Sequence, residues 1–321
     1  MLIVQKFGGT SVAGPEAVRR AAGIIEAAVR RGDTVAAVLS AQGDATDELL
    51  SAAAQYSPHP SPRELDMLLS TGEQASVALM ALALAEQGIE AVSLTGWQAG
   101  VRTDAVHGSA HIRAMDLDRV YRELEEGRVV LLAGFQGVSP RGDITTLGRG
   151  GSDTTAVALA AALRADVCQI YTDVEGVYTA DPRRVPAARK LERIDSDEML
   201  RLAALGAQVL HERAVRLAIR RRVKVEVLSS IVRSRGTTVE PLPLPETQGR
   251  LTAVTAGGAL VSLVGTNLRC FPGLDKKAAA ALSREGIAPA AYLSTDGYFS
   301  VQVEPECALA ALRCLHREFL E

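Results

Sequence analysis

One stretch near the middle of the chain constrains the fold more than any other, because a strand, a glycine-rich loop and a helix follow one another without interruption. The run Val129–Ala133 is apolar at every position, which predicts a strand buried on both faces of a sheet. Ser152 and Asp153 then open the predicted helix Thr154–Leu163. A glycine-rich loop followed by a helix start favours the binding of an anion, because both present backbone N–H groups. The loop therefore predicts a binding site rather than a simple turn.

Apolar strands alternate with amphipathic helices through the first two thirds of the chain, which predicts an α/β fold with a mainly parallel sheet. In such folds the binding loops follow the strands. The loops rich in glycine, serine and threonine fall there, at Gly8–Ser11, Ser40–Thr46 and Gly134–Asp153. The chain has no GxxxxGK[ST] or GxGxxG motif, which excludes a P-loop and argues against a dinucleotide fold. A long helix is predicted over Pro62–Gln87, interrupted at Ser70–Glu73.

The composition of the chain limits the classes of protein to which it can belong. The chain has 321 residues, 47% of them hydrophobic, and a net charge of −3, so nothing points to nucleic acid or an anionic membrane as a partner. No apolar run reaches the 18 or so residues of a membrane span, and the chain begins directly on a predicted strand. The four cysteines form no CxxC pair. We expect a cytoplasmic protein.

A second, smaller domain follows a proline-rich segment. Three alternating prolines between Glu240 and Glu246 predict an extended connector. Beyond it the pattern is strand, helix, strand, strand, helix. The predicted boundaries are therefore a first domain over residues 1–236, a linker over 237–250 and a small domain over 251–321.

Phosphoryl transfer is the chemistry that these loops indicate, because a nucleotide brings about four negative charges that require cations and backbone donors. Lys6 lies beside Gly8 and Gly9, although a strand lysine is usually exposed to solvent. Arg149 lies between glycines and suits a carboxylate. Glu73 is equally consistent with an ordinary helix-start carboxylate, and Asp173 with a turn residue.

Seven stretches in one order carry a resemblance to a known family. They are VQKFGGTSV (Val4–Val12), VLSAQGDATDELL (Val38–Leu50), LLSTGEQASVAL (Leu68–Leu79), LTGWQAGVRTD (Leu94–Asp104), GFQGVSPRGDITTLGRGGSDTTA (Gly134–Ala156), TDVEGVYTADPR (Thr172–Arg183) and MLRLAALGAQVLH (Met199–His211). On these motifs the chain resembles the aspartate kinases (aspartokinases) of the amino-acid kinase superfamily, from residue 1 to about residue 236.

The resemblance implies a three-layer α/β/α domain of the carbamate-kinase type. It also implies transfer of the ATP γ-phosphoryl group, with Mg²⁺, to the side-chain carboxylate of L-aspartate. The product would be 4-phospho-L-aspartate, at the first step of lysine, threonine and methionine biosynthesis. No general base is needed, because a carboxylate with a reference pKa of about 3.9 is already ionised at neutral pH.

The resemblance also assigns roles to residues. Lys6 and Asp153 correspond to the catalytic pair, with no protein ligand assigned to the metal. The residues expected to bind the amino acid are Ser40, Thr46, Glu73, Arg149, Gly150 and Ser152. Those expected to bind the nucleotide are Lys6, Gly8, Gly9, Thr10, Thr172, Asp173, Tyr178, Arg183, Gln208 and Val209. Gln208 stands where many members carry lysine, so one charged contact to the nucleotide is expected to be lost.

The C-terminal residues resemble a single ACT domain, a ferredoxin-like α+β ligand-sensing module, where typical relatives carry two. No final strand is predicted after Phe319, so an incomplete sheet would leave an edge open. We therefore expect a homodimer through this module, and lysine or threonine as a possible effector. Two alternatives remain open: an amino-acid kinase acting on another carboxylate substrate, and a non-catalytic regulatory subunit.

Overall fold

The computed structural model describes residues 1–243 and 249–321. Residues 244–248, which belong to the predicted proline-rich linker, lie outside the described residues. The chain divides into two compact units, which do not follow the chain order. The first comprises Met1–Glu175 and Arg216–Arg235, and the second comprises Gly176–Val215 and Gly236–Glu321.

The elements up to residue 175 are β1 (Leu2–Phe7), α1 (Gly14–Arg30), β2 (Thr34–Leu39), α2 (Ala45–Tyr56), α3 (Pro62–Glu86), β3 (Ala91–Leu94), β4 (Val101–Thr103), β5 (Ile112–Met115), α4 (Asp118–Glu125), β6 (Val129–Ala133), β7 (Gln136–Val138), β8 (Ile144–Thr146), α5 (Gly151–Leu163) and β9 (Val167–Thr172). The elements that follow are β10 (Arg193–Asp195), α6 (Ser196–Ala204), α7 (Glu212–Arg221), β11 (Val225–Ser229), β12 (Thr237–Glu240), β13 (Arg250–Gly257), β14 (Leu260–Thr266), α8 (Leu274–Arg284), β15 (Ala291–Ser294), β16 (Tyr298–Gln302) and α9 (Ala308–Leu320).

A parallel sheet forms the centre of the first unit. Its strands lie in the order β11, β9, β1, β2, β6, β3, and every neighbouring pair is parallel, as the sequence predicted. Alternate side chains such as Phe7, Leu39 and Leu131 pack with α1 and α3 on one face. Helix α5 contacts β1, β2 and β9, and approaches Val38, whose side chain points to the other face. Helices on both faces make the three-layer α/β/α arrangement.

Helix α3 is continuous from Pro62 to Glu86, so the interruption predicted at Ser70–Glu73 is wrong. Gly72 and Glu73 lie buried in the helix interior, and the helix is held there by packing against the sheet rather than by its local propensity. Within the described residues, α3 is the one helix long and apolar enough to cross a membrane. Core helices of soluble proteins meet the same criterion, and Val77, Met80 and Leu84 pack in the core.

The glycine-rich segment after β6 differs from the predicted loop. It contains two short strands, β7 and β8, which join β4 and β5 in a second sheet of the first unit, in the order β5, β4, β7, β8. Helix α5 begins at Gly151, and its N-cap is Gly150 with φ +70°. Ser152 and Asp153 therefore lie in the first turn of α5, where their own N–H groups are free, rather than capping it.

The second unit contains a four-stranded sheet in the order β13, β14, β16, β15, with antiparallel neighbours. Helices α8 and α9 bury their apolar faces in this unit's core, together with Ala180 and Val185. Strands β10 and β12 form a parallel pair in the same unit. Residues 176–215 thus group with the small sheet, whereas the sequence placed the boundary at residue 236.

Strand β13 was not anticipated: the predicted linker ends at Arg250, the first residue of β13, and one strand was expected before the first helix of the small domain, where the structure has two. It pairs with β14 and occupies the sheet position that we expected to be empty for lack of a strand after α9. The chain supplies this strand before the module rather than after it. The open edge invoked for dimerisation is therefore filled on the β14 side, and the other edge strand of this sheet is β15.

Candidate active site

Four parallel strands of the first unit end level with one another. Their register aligns Tyr171, the penultimate residue of β9, with Phe7, Leu39 and Ala133, the last residues of β1, β2 and β6. The residues that follow them are Thr172, Gly8, Ser40 and Gly134. Backbone hydrogen bonds continue across this boundary, from Gly8 N to Tyr171 O (3.2 Å), Ser40 N to Phe7 O (3.1 Å) and Gly134 N to Leu39 O (3.0 Å). The predicted binding loops are thus brought to one edge of the sheet.

Lys6 and Asp153 meet at this edge. The Lys6 Nζ lies 2.6 Å from Asp153 Oδ1, and the two side chains are 12% and 13% exposed. Lys6 is the penultimate residue of β1, and Asp153 lies in the first turn of α5. Gly134 permits this approach, because a Cβ there would lie 2.8 Å from the Cβ of Ser152. The result is a largely desolvated charge pair, whose groups act more strongly than in water.

The Gly8–Thr10 loop packs closely against the loop after β2. A Cβ on Gly9 would lie 3.0 Å from the carbonyl oxygen of Ala41, and Gly43 N donates to Gly9 O at 3.0 Å. A Cβ on Gly8 would lie 3.4 Å from Lys6 Nζ. Backbone rather than side chain therefore surrounds the lysine, which leaves room for a ligand to approach it. Thr10 follows in an exposed position.

Glu73 projects from the interior of α3 and is only 3% exposed. Its Oε1 accepts a hydrogen bond from Ala41 N at 3.1 Å, whereas Oε2 is buried without a hydrogen-bond partner among the described residues. Burial raises the pKa of Glu73 to about 7, against the effect of the Ala41 hydrogen bond. Gly72 brings the helix to this loop, since a Cβ there would lie 2.8 Å from the Cβ of Ala41. A buried carboxylate with one free oxygen suits a cationic ligand.

Arg149 is exposed between Gly148 and Gly150, both with positive φ. Within the described residues it has no ion pair or hydrogen bond, so its guanidinium is available to a ligand. Ser40 and Thr46 are partly buried, in the loop after β2 and in the first turn of α2. Ser152 is buried beside Gly134.

The residues expected at the nucleotide are divided between the two units. Thr172 ends β9 and Asp173 follows it in the first unit, where Ser230 donates to the Thr172 carbonyl from N (2.9 Å) and Oγ (3.2 Å). Tyr178, Arg183, Gln208 and Val209 belong to the second unit. There Asp181 Oδ1 accepts from Arg183 N (3.0 Å) and Nε (3.1 Å), and Gln208 is exposed in the loop after α6.

Two buried polar groups of the first unit were missed from the sequence. Gln136 donates to Ser70 O at 2.9 Å, one turn before Glu73, and its Oε1 is buried without a partner among the described residues. Asp66, 1% exposed, accepts from His107 Nδ1 (2.7 Å) and Gly108 N (3.0 Å). Gln136 lies between Phe135 and Gly137, and this local pattern indicates a constrained turn. No local signal marked Asp66, because its partners lie about 40 residues away.

Among the described residues, no group of three or more His, Cys, Asp or Glu side chains is placed to hold a metal ion.

Comparisons with known proteins find a family model, curated relatives and solved structures that are similar to this chain. The model of the amino acid kinase family matches residues 1–229. The aspartokinase of Geobacillus stearothermophilus is 58% identical over 239 residues, which are 74% of this chain and 59% of that protein. This chain therefore matches only about three fifths of the length of such curated relatives.

Two solved structures extend the likeness to the whole chain. Escherichia coli aspartokinase III in complex with aspartate and ADP (R-state) matches with a TM-score of 0.86 and 24% identity, covering 100% of both chains, which shows the common fold. The same enzyme in complex with lysine and aspartate (T-state) matches with a TM-score of 0.68 and 28% identity, covering 94% of this chain and 79% of the other.

Proposed function

Because this chain belongs to the amino acid kinase family, we propose that it is an ATP-dependent aspartate kinase. The observation that carries the proposal is the Lys6–Asp153 pair, 2.6 Å apart beside glycine loops at the carboxyl edge of a parallel sheet. The aspartokinases that it resembles at 58% identity support the choice of aspartate among carboxylate acceptors. We place the enzyme in the cytoplasm as part of the same proposal.

In this reaction a carboxylate oxygen of aspartate forms a bond to the γ-phosphorus of ATP. The bond between that phosphorus and the β–γ bridging oxygen breaks, and ADP leaves with the electron pair. No proton is removed, because the acceptor is already ionised. The protein's task is therefore to position two anions and neutralise their charge.

Lys6 neutralises negative charge on the phosphoryl group that is transferred. Asp153 holds the ammonium in place through a 2.6 Å ion pair in a largely desolvated site, where the attraction is stronger than in water. The backbone of Gly8, Gly9 and Thr10 lets phosphate oxygens approach without a side chain intervening. Gly8, one residue past the end of β1 and close to Lys6 Nζ, provides the closest approach.

The amino-acid substrate presents an ammonium and an α-carboxylate. Glu73, with its unpartnered Oε2, receives the ammonium, and the unpaired guanidinium of Arg149 receives the α-carboxylate. Ser40, Thr46, Gly150 and Ser152 contribute hydroxyl and backbone groups around it. The resulting charge complementarity would distinguish an α-amino acid from a simple carboxylate.

The nucleotide is assigned to Thr172, Asp173, Tyr178, Arg183, Gln208 and Val209. Gln208 is neutral where many relatives have lysine, so this contact contributes a hydrogen bond instead of a charge. Mg²⁺ supplies charge neutralisation when bound, and in the absence of a ligand cluster among the described residues it would be held mainly by phosphate oxygens and water.

The small module is proposed to bind an amino-acid effector, lysine or threonine, and to pair with a second copy. The aspartokinase III structure that contains lysine supports the first part. Exposed Tyr292 and Leu293 on the edge strand β15 support the second, because an unpaired strand edge with apolar side chains favours a partner.

The test is trapping of the acyl phosphate with hydroxylamine, using purified protein, ATP and Mg²⁺. Hydroxamate should form with L-aspartate and not with L-glutamate, and the reaction should be repeated with lysine, threonine or both. Lys6→Met is the inactive control, and Glu26→Gln, in an exposed ion pair of α1, is the matched active control. A folded protein that forms no hydroxamate with aspartate would overturn the proposal.

A further inference from the structure

The segment that carries Tyr178 and Arg183 is built into the core of the second unit. Val254 N, on β13, donates to the carbonyl oxygen of Thr179 at 2.8 Å. Ala180 and Val185 are buried in the same apolar cluster as residues of the small sheet and of α9. The segment is therefore anchored by the module that follows it about 70 residues later in the sequence, in addition to the local pairing in which Thr179 N donates to Arg189 O at 2.9 Å.

Two buried side chains, Thr179 and His316, and the exposed carboxylate of Glu321 join the segment to α9. Thr179 Oγ1 lies 2.9 Å from His316 Nε2, and His316 Nδ1 lies 3.0 Å from Glu321 Oε1. Arg189 N donates to the same threonine oxygen at 2.9 Å. The imidazole thus bridges the threonine hydroxyl and the carboxylate through its two ring nitrogens.

Burial excludes a nucleophilic role for this hydroxyl–imidazole–carboxylate arrangement. Thr179 is 4% exposed and His316 is 0% exposed, so no substrate carbonyl or phosphoryl group has access to the oxygen. The arrangement instead fixes the peptide at Thr179 from both its carbonyl and its side chain. A second contact from the same helix, Arg313 Nε to Arg184 O at 2.8 Å, fixes the far end of the segment.

We propose that Thr179 and His316 are positioning residues for nucleotide binding, which hold Tyr178 and Arg183 in place from α9. This inference rests on the proposed function, because it takes Tyr178 and Arg183 as nucleotide contacts. Tyr178 is the immediate neighbour of Thr179, and Arg183 lies in the turn closed by Asp181. Loosening Thr179 would release both side chains, so nucleotide affinity would fall while affinity for aspartate would not.

The test is titration of the full chain with Mg·ADP by calorimetry, which needs no turnover. Thr179→Val removes the hydroxyl and keeps the shape, whereas Thr179→Ser keeps the hydroxyl. We expect Kd for Mg·ADP to rise about tenfold in Thr179→Val and in His316→Leu, and to change less than about twofold in Thr179→Ser, as for loss of one buried hydrogen bond. The KM for aspartate should stay within about twofold of wild type.

Two further variants keep the inference falsifiable if a buried substitution prevents folding. Arg313→Gln changes an exposed residue and removes only the contact to Arg184 O, so Kd should rise about threefold. Glu318→Gln is the matched control, because Glu318 lies on the same helix and pairs with Arg284 instead. It should bind Mg·ADP as wild type does.

Folded Thr179→Val and His316→Leu proteins with wild-type Kd would overturn the inference and leave the proposed function standing. So would a Thr179→Ser protein as weak as Thr179→Val, since the hydroxyl would then not be the cause. If neither buried variant folds, a wild-type Kd in Arg313→Gln overturns it. Failure of the wild-type protein to bind Mg·ADP would overturn the proposed function and this inference together.

Discussion

The Lys6–Asp153 pair shows how single residues of this chain depend on one another. Each charge is largely desolvated, and each is the other's direct partner at 2.6 Å. Removing one partner leaves the other charge uncompensated, which costs about 3 kcal/mol for a buried pair. Removing both leaves two neutral groups, which is far less costly. The two residues should therefore behave as a unit in stability and in catalysis.

We expect Asp153→Asn to lower kcat by at least about a hundredfold and the free energy of unfolding by about 2–3 kcal/mol. In Lys6→Met/Asp153→Asn much of that stability should return, but no activity. Urea denaturation and hydroxamate assays of the two single variants and the double variant form the cycle. Additive losses of stability would show that the pair is not coupled.

Glu73 gives the site a dependence on pH. Its folded-state pKa is raised to about 7 by burial, above the ordinary value of 4.5, so the folded protein holds a proton there that the unfolded chain releases. This group therefore favours the folded state at low pH, and that contribution declines as pH rises from about 4.5 to about 7. Only the ionised form attracts a substrate ammonium.

The KM for aspartate should fall as pH rises through about 7, because Glu73 ionises over that range. Steady-state kinetics between pH 5.5 and 8.5 measure it, with saturating ATP. Glu73→Gln should raise KM about tenfold at pH 8 and remove this dependence. A wild-type profile that is flat between pH 6 and 8 would contradict the role of Glu73.

At the scale of elements, the position of α3 depends on the absence of a side chain at Gly72. Gly72 has no Cβ, which allows the helix to approach Ala41 and place Glu73 under the loop after β2. The Ser-Thr-Gly run suggested a helix break, since these residues have low helix propensity. The observed helix keeps them because the close contact and the buried leucine and valine face outweigh that preference.

Gly72→Ala should raise the KM for aspartate several-fold, because the new Cβ would lie 2.8 Å from the Cβ of Ala41 and displace the loop. Gly23→Ala in α1 is the matched control, since a Cβ there meets nothing within 4 Å. It should stabilise the protein by up to about 1 kcal/mol with unchanged kinetics. Equal behaviour of the two variants in both assays would show that the close approach has no functional role.

At the scale of the whole molecule, the second unit is assembled from two separate segments of the chain. The fully buried carboxylate of Glu198, in α6, accepts from Arg250 (3.1 Å), Thr252 (2.9 Å) and Thr266 (2.8 Å), which lie in β13 and β14. Three donors from the small sheet thus converge on one helix of the preceding segment. The two segments should unfold together.

Glu198→Ala should lower the free energy of unfolding of the second unit by about 2–3 kcal/mol, because the buried hydroxyl of Thr252 and the partly buried hydroxyl of Thr266 lose their acceptor. Hydrogen exchange should then accelerate together in α6, β13 and β14, and not in β1 or β2 of the first unit. Glu285→Gln, in an exposed ion pair with Arg317, is the control. Faster exchange in β13 and β14 alone would show that α6 is not part of the same cooperative unit.

The sequence by itself determined strand β6 and the alternation of strands and helices around it, because a continuous apolar run beside a glycine loop has few other solutions than a buried parallel sheet. The motifs around Lys6, Arg149 and Asp153 also identified the family before any contact was known. Their chemistry is local: a charge, a glycine and a helix start within a few residues. The roles of the remaining motif residues stay predictions.

Only the tertiary structure decided what depends on distant partners. The sequence predicted one strand between the linker and the first helix of the small domain, whereas the pairing of β13 with β14 makes two. From the sequence, Glu73 was equally consistent with an ordinary helix-start carboxylate, whereas the structure buries it beside Ala41, and burial raises its pKa. Thr179 acquired its partners from residues 254 and 316. Burial, pKa and long-range hydrogen bonds belong to the packed chain, because no local window of sequence contains both partners.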